Sequence, residues 1–140
     1  MATIPRTRAV PVLRTDFADQ AVWARLKKEM VSPTEEGFTA AVEFVDDDAF
    51  AGFDEDAIVR SLPGRYPHSF PHPVLFVVDA LTVGSADHPV LVIDLHDKPE
   101  PSFRSVPRGI QAIENNLSIA NMDFAEFATA VDDDGIYRGF

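Results

Sequence analysis

Two short apolar runs constrain the fold of this chain more than any other feature. Residues 74–78 read VLFVV and residues 90–93 read VLVI, with no polar residue inside either run. A strand with one face in water alternates apolar and polar residues, so an unbroken run predicts a strand covered on both faces. The link from Asp79 to Pro89 is too short to hold a full crossover helix. We therefore predict that these two strands pair antiparallel.

The rest of the chain supplies further strands and the helices that would cover them. Apolar or β-rich runs predict strands at 10–13 and 38–45, and a short edge strand at 103–106. Apolar residues at helical spacing predict helices near residues 18–30, 50–62, 107–117 and 121–131.

Several residues are expected to mark the ends of these helices. Asp16 or Asp19 is the predicted N-cap of the first helix, and Asp54 that of the second. Asn121 would cap the last helix, and Gly135 would end it in a left-handed conformation. The apolar tail IYRGF is expected to dock on the body of the protein.

These elements predict an α/β fold with a single domain over residues 10–140. We expect a mixed, mostly parallel β-sheet of four to five strands with helices on both faces. Residues 1–9 contain charge and proline but little apolar matter, so we predict a flexible N-terminal lead-in.

The charge balance excludes some partners and favours others. The 140 residues hold 23 acidic and 12 basic side chains, a formal net charge of −11. A field of this sign repels phosphates and anionic headgroups, so we expect no nucleic acid and no membrane as a partner. It favours a basic protein or a divalent cation. Net negative charge can also serve solubility alone.

Several classes of site lack their sequence signal. The chain has no cysteine, which excludes disulfides, thiol catalysis and thiolate metal sites. The glycine-rich motifs of phosphate and dinucleotide sites are absent, and we expect no cofactor. The first residues do not form a secretory signal, and no run approaches the ~20 apolar residues of a membrane span. We therefore expect a cytoplasmic protein.

Aspartates follow the predicted strands and form a candidate metal site. If the first three strands run parallel, then Asp16, Asp47 and Asp79 lie just past their carboxyl ends, where ligands of α/β sheets bind. Clustered carboxylates suit Mg²⁺ and could support phosphoryl transfer. Aspartates at strand ends also cap helices and start turns, and the cluster depends on the strand order.

Two loops are candidate partner-binding surfaces. The proline-rich stretch from Gly64 to Pro73 carries an aromatic-plus-arginine composition typical of interface hot spots, in the residues Arg65, Tyr66, His68 and Phe70. The segment NNLSIAN joins the last two helices and holds Asn115, Asn116 and Asn121. These asparagines could contact a partner, or they could cap helix ends and lock a tight connection.

The C-terminal segment NNLSIANMDFAEFA, with VLVIDL before it and VLRTDF near the start, resembles a domain-of-unknown-function family of small bacterial proteins. The resemblance covers roughly residues 10–140. It implies a single domain, and it implies no catalytic residue because the family has no assigned activity.

The sequence leaves the function unknown and supports three hypotheses. The leading one is a non-enzymatic acidic interaction protein that neutralises a basic protein partner. The alternative is a Mg²⁺-dependent enzyme that acts on a phosphorylated small molecule at the carboxylate-rich strand ends. The third is an oligomeric scaffold, which predicts self-association.

Overall fold

A computed structural model describes residues 2–140 and contains both predicted central strands. They are β3, Val74–Val78, and β4, Val90–Asp94, and every residue of each is buried. The two strands pair antiparallel, with Val74 opposite Asp94 and Val77 opposite Leu91. The prediction from the short link between them is therefore confirmed.

The remaining strands are β1, Val10–Arg14, β2, Val42–Val45, β5, Phe103–Ser105, and β6, Ile136–Tyr137. Within residues 2–140, the sheet is mixed and has six strands, in the order β2-β1-β3-β4-β5-β6. Parallel pairs join β1 to β2, β1 to β3 and β5 to β6, while β3–β4 and β4–β5 are antiparallel. The prediction of a mostly parallel sheet with four to five strands was wrong.

The short β3–β4 link and the C-terminal tail explain this difference. The link between β3 and β4 contains only a five-residue helix, so the chain turns back rather than crossing the sheet. The apolar tail does dock on the body, but as a strand: β6 adds to the edge of β5 and buries Tyr137.

Residues 2–140 contain five α-helices and two 3₁₀ helices beside the sheet. The α-helices are α1, Gln20–Met30, α2, Glu55–Arg60, α3, Ala80–Gly84, α4, Ile110–Ser118, and α5, Phe124–Ala128. The 3₁₀ helices are Asp48–Phe50 and Pro107–Gly109. None of the helices in residues 2–140 is long and apolar enough to cross a membrane.

The predicted caps are partly confirmed. The Asp19 carboxylate accepts from the Val22 amide and begins α1, and Asp54 likewise caps α2. Asp123, rather than Asn121, precedes α5, and the Glu126 carboxylate accepts from its amide at 2.7 Å. Gly135 has a positive φ of 78°, but it lies in the turn before β6 because α5 has already ended at Ala128.

Helices and loops cover both faces of the sheet, as the unbroken strands require. On one face, α1, α4 and α5 contribute Trp23, Ile113 and Phe127 to a core that includes Phe76 of β3. On the other, Leu75 and Val77 of β3 meet side chains from α2, the loop before β3 and the N-terminal segment, among them Ile58, Phe70 and Ile4.

The predicted flexible lead-in contacts this second face. Ile4 is fully buried, and its amide donates to the Ser61 carbonyl at 2.7 Å. Thr7 is also buried. Met1 lies outside the described residues.

Close packing near β6 leads to a testable prediction about two glycines. A methyl group at Gly109 would overlap the Ser105 hydroxyl and lie 3.0 Å from Cδ2 of Tyr137. We expect Gly109→Ala to lower the free energy of unfolding by about 1–3 kcal/mol, because the contact overpacks a buried site. Gly84, in open space at the end of α3, is the matched control.

Urea unfolding of both variants is the measurement. We expect Gly84→Ala to stay within about 0.5 kcal/mol of the parent chain. Equal stability of the two variants would contradict the packing described for Gly109.

Candidate functional site

The two candidate loops meet at one edge of the sheet. The proline-rich loop leads into the start of β3, and the connection that follows α4 lies beside it. Together they line an open cleft of about 300 Å³, with Tyr66 and Pro73 from one loop and Leu117, Ala120 and Met122 from the α4 region. We call this cleft the loop cleft.

Asp94 brings a buried carboxylate to the loop cleft. Antiparallel pairing places this last residue of β4 opposite Val74, and therefore at the edge where β3 begins. Asp94 is 3% exposed. Its carboxylate accepts from the Glu100 amide at 2.9 Å and from the His96 amide at 3.1 Å. The β4–β5 loop is thus fixed to the end of its own strand.

His96 is oriented by two contacts. Its Nδ1 lies 2.6 Å from the Asp94 carboxylate, and its ring meets the Tyr66 ring edge-on, with centroids 4.9 Å apart. An ionised carboxylate can only accept a hydrogen bond, so Nδ1 is the donor in this contact. About half of the side chain is exposed at the cleft.

The rim of the loop cleft is acidic and its floor is apolar. Glu100 and Asp123 supply two exposed carboxylates beside the ammonium group of Lys98, while the Asp94 carboxylate is buried and already accepts from two backbone amides and His96. Leu117 and Phe124 are buried beneath them. The arrangement can accept hydrogen bonds and attract a cation while covering an apolar group.

The α4–α5 connection is fixed in place by asparagines. Asn116 donates from its side chain to the Ala112 carbonyl at 2.8 Å, and Asn121 donates to the Asn116 side chain at 2.8 Å. Asn115 donates to the Thr39 carbonyl at 3.1 Å. Ala120 has a positive φ of 55°, a strained conformation for alanine. These hydrogen bonds support the structural role that the sequence analysis set beside partner contact.

The four residues of the proline-rich loop that were predicted to contact a partner lie in different environments. Tyr66 lines the loop cleft, whereas Phe70 is fully buried in the core and is not available to a partner in this structure. His68 is exposed outside the cleft lining. Arg65 is half-buried, and its Nη1 has no hydrogen-bond partner within residues 2–140.

Sequence reasoning did not bring Asp94, His96 and Glu100 together at one site. The available signal was the predicted antiparallel pairing, since it requires the end of β4 to lie beside the start of β3. Only the carboxyl ends of the first three strands were predicted to form a functional edge.

At the opposite edge, the charge of Arg14 is paired with a carboxylate of the protein itself. This last residue of β1 is buried, and its guanidinium donates to the Asp46 carboxylate at 3.2 Å and to Gln20 at 3.0 Å. The indole of Trp23 donates to the other oxygen of Asp46 at 3.2 Å. The depression at this edge is open and lined by Asp46–Asp48. These contacts hold the end of β1, the residue after β2 and α1 together.

The three candidate metal ligands lie in separate networks. Asp16 accepts from the Ala18 amide, Asp47 from the Ala49 amide and Asp79 from Thr82 and Arg104. Within residues 2–140, no group of three or more histidine, aspartate or glutamate side chains is arranged to hold a metal ion. Asp47 and Asp79 act as helix caps, the alternative that the sequence analysis kept open.

Asp79 connects two strands through an ion pair. It follows β3, and both of its oxygens accept from Arg104 of β5, at 2.8 and 3.0 Å. Burial opposes ionisation of the carboxyl, but hydrogen bonds from Arg104 and the Thr82 amide outweigh it and hold the pKa of Asp79 below its ordinary value of 3.8.

This ion pair predicts a pH-dependent contribution to stability. Asp79→Asn keeps a good capping residue and removes the charge. We expect the free energy of unfolding at neutral pH to fall by about 1 kcal/mol, a value reduced for partial exposure. Because the folded pKa is depressed, the stabilisation is present above the unfolded value and is lost as the pH falls through the folded value.

The measurement is urea unfolding of the parent chain and of Asp79→Asn between neutral pH and about pH 3. The difference between their free energies of unfolding should become smaller below about pH 4. Asp47→Asn is the control, because Asp47 caps a helix without an ion pair within residues 2–140. If Asp79→Asn and Asp47→Asn lowered the free energy of unfolding equally at every pH, the role of Arg104 would be contradicted.

The comparisons with known proteins agree with this single-domain fold. Residues 9–140 match the model of a family described as a domain of unknown function, DUF6924. The match includes both loops of the cleft and the segment NNLSIANMDFAEFA, and it confirms the resemblance to such a family. No curated protein matches the chain. The chain therefore belongs to the DUF6924 family, whose function is not assigned.

Proposed function

We propose that this protein is a non-enzymatic interaction protein that binds a basic protein partner at the loop cleft. The observation that carries the proposal is that two loops, nearly fifty residues apart in sequence, converge around the carboxylates of Asp94, Glu100 and Asp123. Function concentrates on loops that rigid elements hold in place.

The electrostatics favour a cationic partner both during its approach and at contact. The formal net charge of −11 attracts basic proteins before contact and raises the rate of encounter. At contact, the cleft exposes the carboxylates of Glu100 and Asp123 and one lysine, and the buried Asp94 carboxylate lies behind them. A lysine or arginine side chain of the partner would meet hydrogen-bond acceptors of opposite charge there.

The composition of the cleft is that of an interface. The aromatic ring of Tyr66 and the apolar side chains of Met122 and Phe124 lie within an acidic rim. Interface cores are depleted in charge and enriched in aromatic residues and methionine, while their rims are polar. Tyr66 is the side chain that we expect to contribute most to partner binding.

The walls of the cleft are held before any partner arrives. Asp94 fixes the β4–β5 loop through the Glu100 amide, and Asn116 fixes the α4–α5 connection. Binding at such walls costs less conformational entropy than binding at mobile loops.

The experiment is capture of partners from a lysate of the source cells with tagged protein. We expect a stoichiometric partner with an isoelectric point above neutral, retained at low salt and weakened at high salt. Glu100→Lys should weaken binding of the purified partner by roughly tenfold, because it places a like charge at the rim. Isothermal titration measures this change.

Asp133→Lys is the matched control, since it changes the net charge equally at an exposed position outside the cleft lining. We expect it to weaken binding much less than Glu100→Lys. Equal loss in both variants would show that only net charge matters and would sink the proposed site. Recovery of no stoichiometric partner at low salt would count against the function itself.

A further inference from the structure

A second depression adjoins the loop cleft along α5. It has a volume of about 340 Å³, and its lining includes Phe103, Ala128 and Val131. Glu100 and Ala125 belong to both linings, so the two depressions share a wall. We call the second one the α5 depression.

The chemistry of the two depressions differs. Besides Glu100, the loop cleft is lined by the exposed Asp123 and Lys98 and by the buried Asp94, whereas the described lining of the α5 depression contains Glu100 as its single charged residue. Pro101, Phe103 and Val131 give the α5 depression an apolar surface. A ligand that fills both must carry a cationic group and an apolar group side by side.

We infer that the occupant is an extended segment of the partner protein, with a basic side chain in the loop cleft and an apolar side chain, two residues away, in the α5 depression. This inference rests on the proposed function and deepens it by naming the recognised chemistry. Charge complementarity places the cation beside the exposed carboxylates of Glu100 and Asp123, and the apolar lining of the α5 depression suits the apolar group.

The extended conformation follows from the shared wall. Side chains two residues apart in an extended chain point to the same face, about 7 Å from each other. Such a pair can straddle a single wall. Glu100 forms that wall with its amide already bound to Asp94 at 2.9 Å, so its position is fixed from inside the protein.

The probes are three synthetic peptides with a common glycine and serine frame. One carries arginine and leucine two residues apart, the second has serine in place of leucine, and the third has glutamate in place of arginine. Each is titrated into isotopically labelled protein, and amide shifts in the NMR spectrum report the site and the affinity.

We expect the arginine–leucine peptide to bind about tenfold more tightly than the arginine–serine peptide, because a leucine side chain leaves water. Leucine should move the signals of Ala128 and Val131, and arginine those of Tyr66, His96 and Glu100. The glutamate peptide should not bind measurably, since its charge repels the rim.

Ala128→Leu should fill the α5 depression and remove the advantage of leucine while leaving the arginine–serine peptide unaffected. Ala24→Leu, at an exposed position of α1, is the matched control and should retain the tenfold difference. Thermal melting confirms that both variants are folded before titration.

The contrary outcomes show whether this inference fails alone or together with the proposed function. Equal affinity of the two arginine peptides overturns the inference and leaves the basic partner in place. The same holds if no peptide binds although Glu100→Lys weakens the captured partner. If Glu100→Lys also has no effect on that partner, both are overturned. Shifts of the same signals on raising the protein concentration alone would identify a second copy as the occupant and overturn the inference.

Discussion

The burial of β3 on both faces is the constraint on which the rest of the structure depends. All five residues of this strand are completely buried. An apolar strand of this kind needs a layer of side chains above and below it, and the chain provides α1, α4 and α5 on one face and α2 with loops on the other. Side-chain chemistry is thereby concentrated at the two ends of the strands, where it meets water.

The direction of β4 decides how acidic groups are divided between these ends. At the carboxyl ends of β1 and β3, arginines form ion pairs with the aspartates: Arg14 pairs with Asp46, and Arg104 pairs with Asp79. At the other end, Asp94 is satisfied by backbone amides and His96. Glu100 and Asp123 form no ion pair within residues 2–140, so their charge faces the loop cleft. The antiparallel turn thus creates an electronegative surface that a wholly parallel sheet would have placed elsewhere.

The sequence predicted those parts of the fold that depend on local pattern. Unbroken apolar runs identified β3 and β4, the short link identified their pairing, and Asp19 and Asp54 identified two helix starts. The sixth strand was not predicted because Ile136–Tyr137 is too short to show a periodicity. The apolar composition of the tail indicated only that this segment docks. The capping error at Asn121 has a similar cause: the connection after α4 is longer than the helical spacing suggested, and Asp123 lies where the cap is needed.

The candidate site could be predicted only as separate loops. Tyr66 and the α4–α5 connection are about fifty residues apart, and nothing in their local sequence indicates that they meet. Their meeting depends on strand order, and strand order is set by packing across the whole sheet. Aspartates at strand ends illustrate the same limit, since Asp47 and Asp79 have the right residue type for a metal but are held by helix caps and an arginine.

Net charge and local shape should make different contributions to recognition by such a surface. Charges separated by more than about 8 Å are largely screened at physiological ionic strength. The carboxylates of Asp46–Asp48, at the opposite edge of the sheet, therefore act on the approach of a basic protein more than on the bound complex. Selectivity among basic proteins must come from contact at the loop cleft, where Glu100 and Tyr66 lie next to apolar surface. A partner that matches charge alone would be attracted to the protein and then released, whereas one that also covers the apolar floor would be retained.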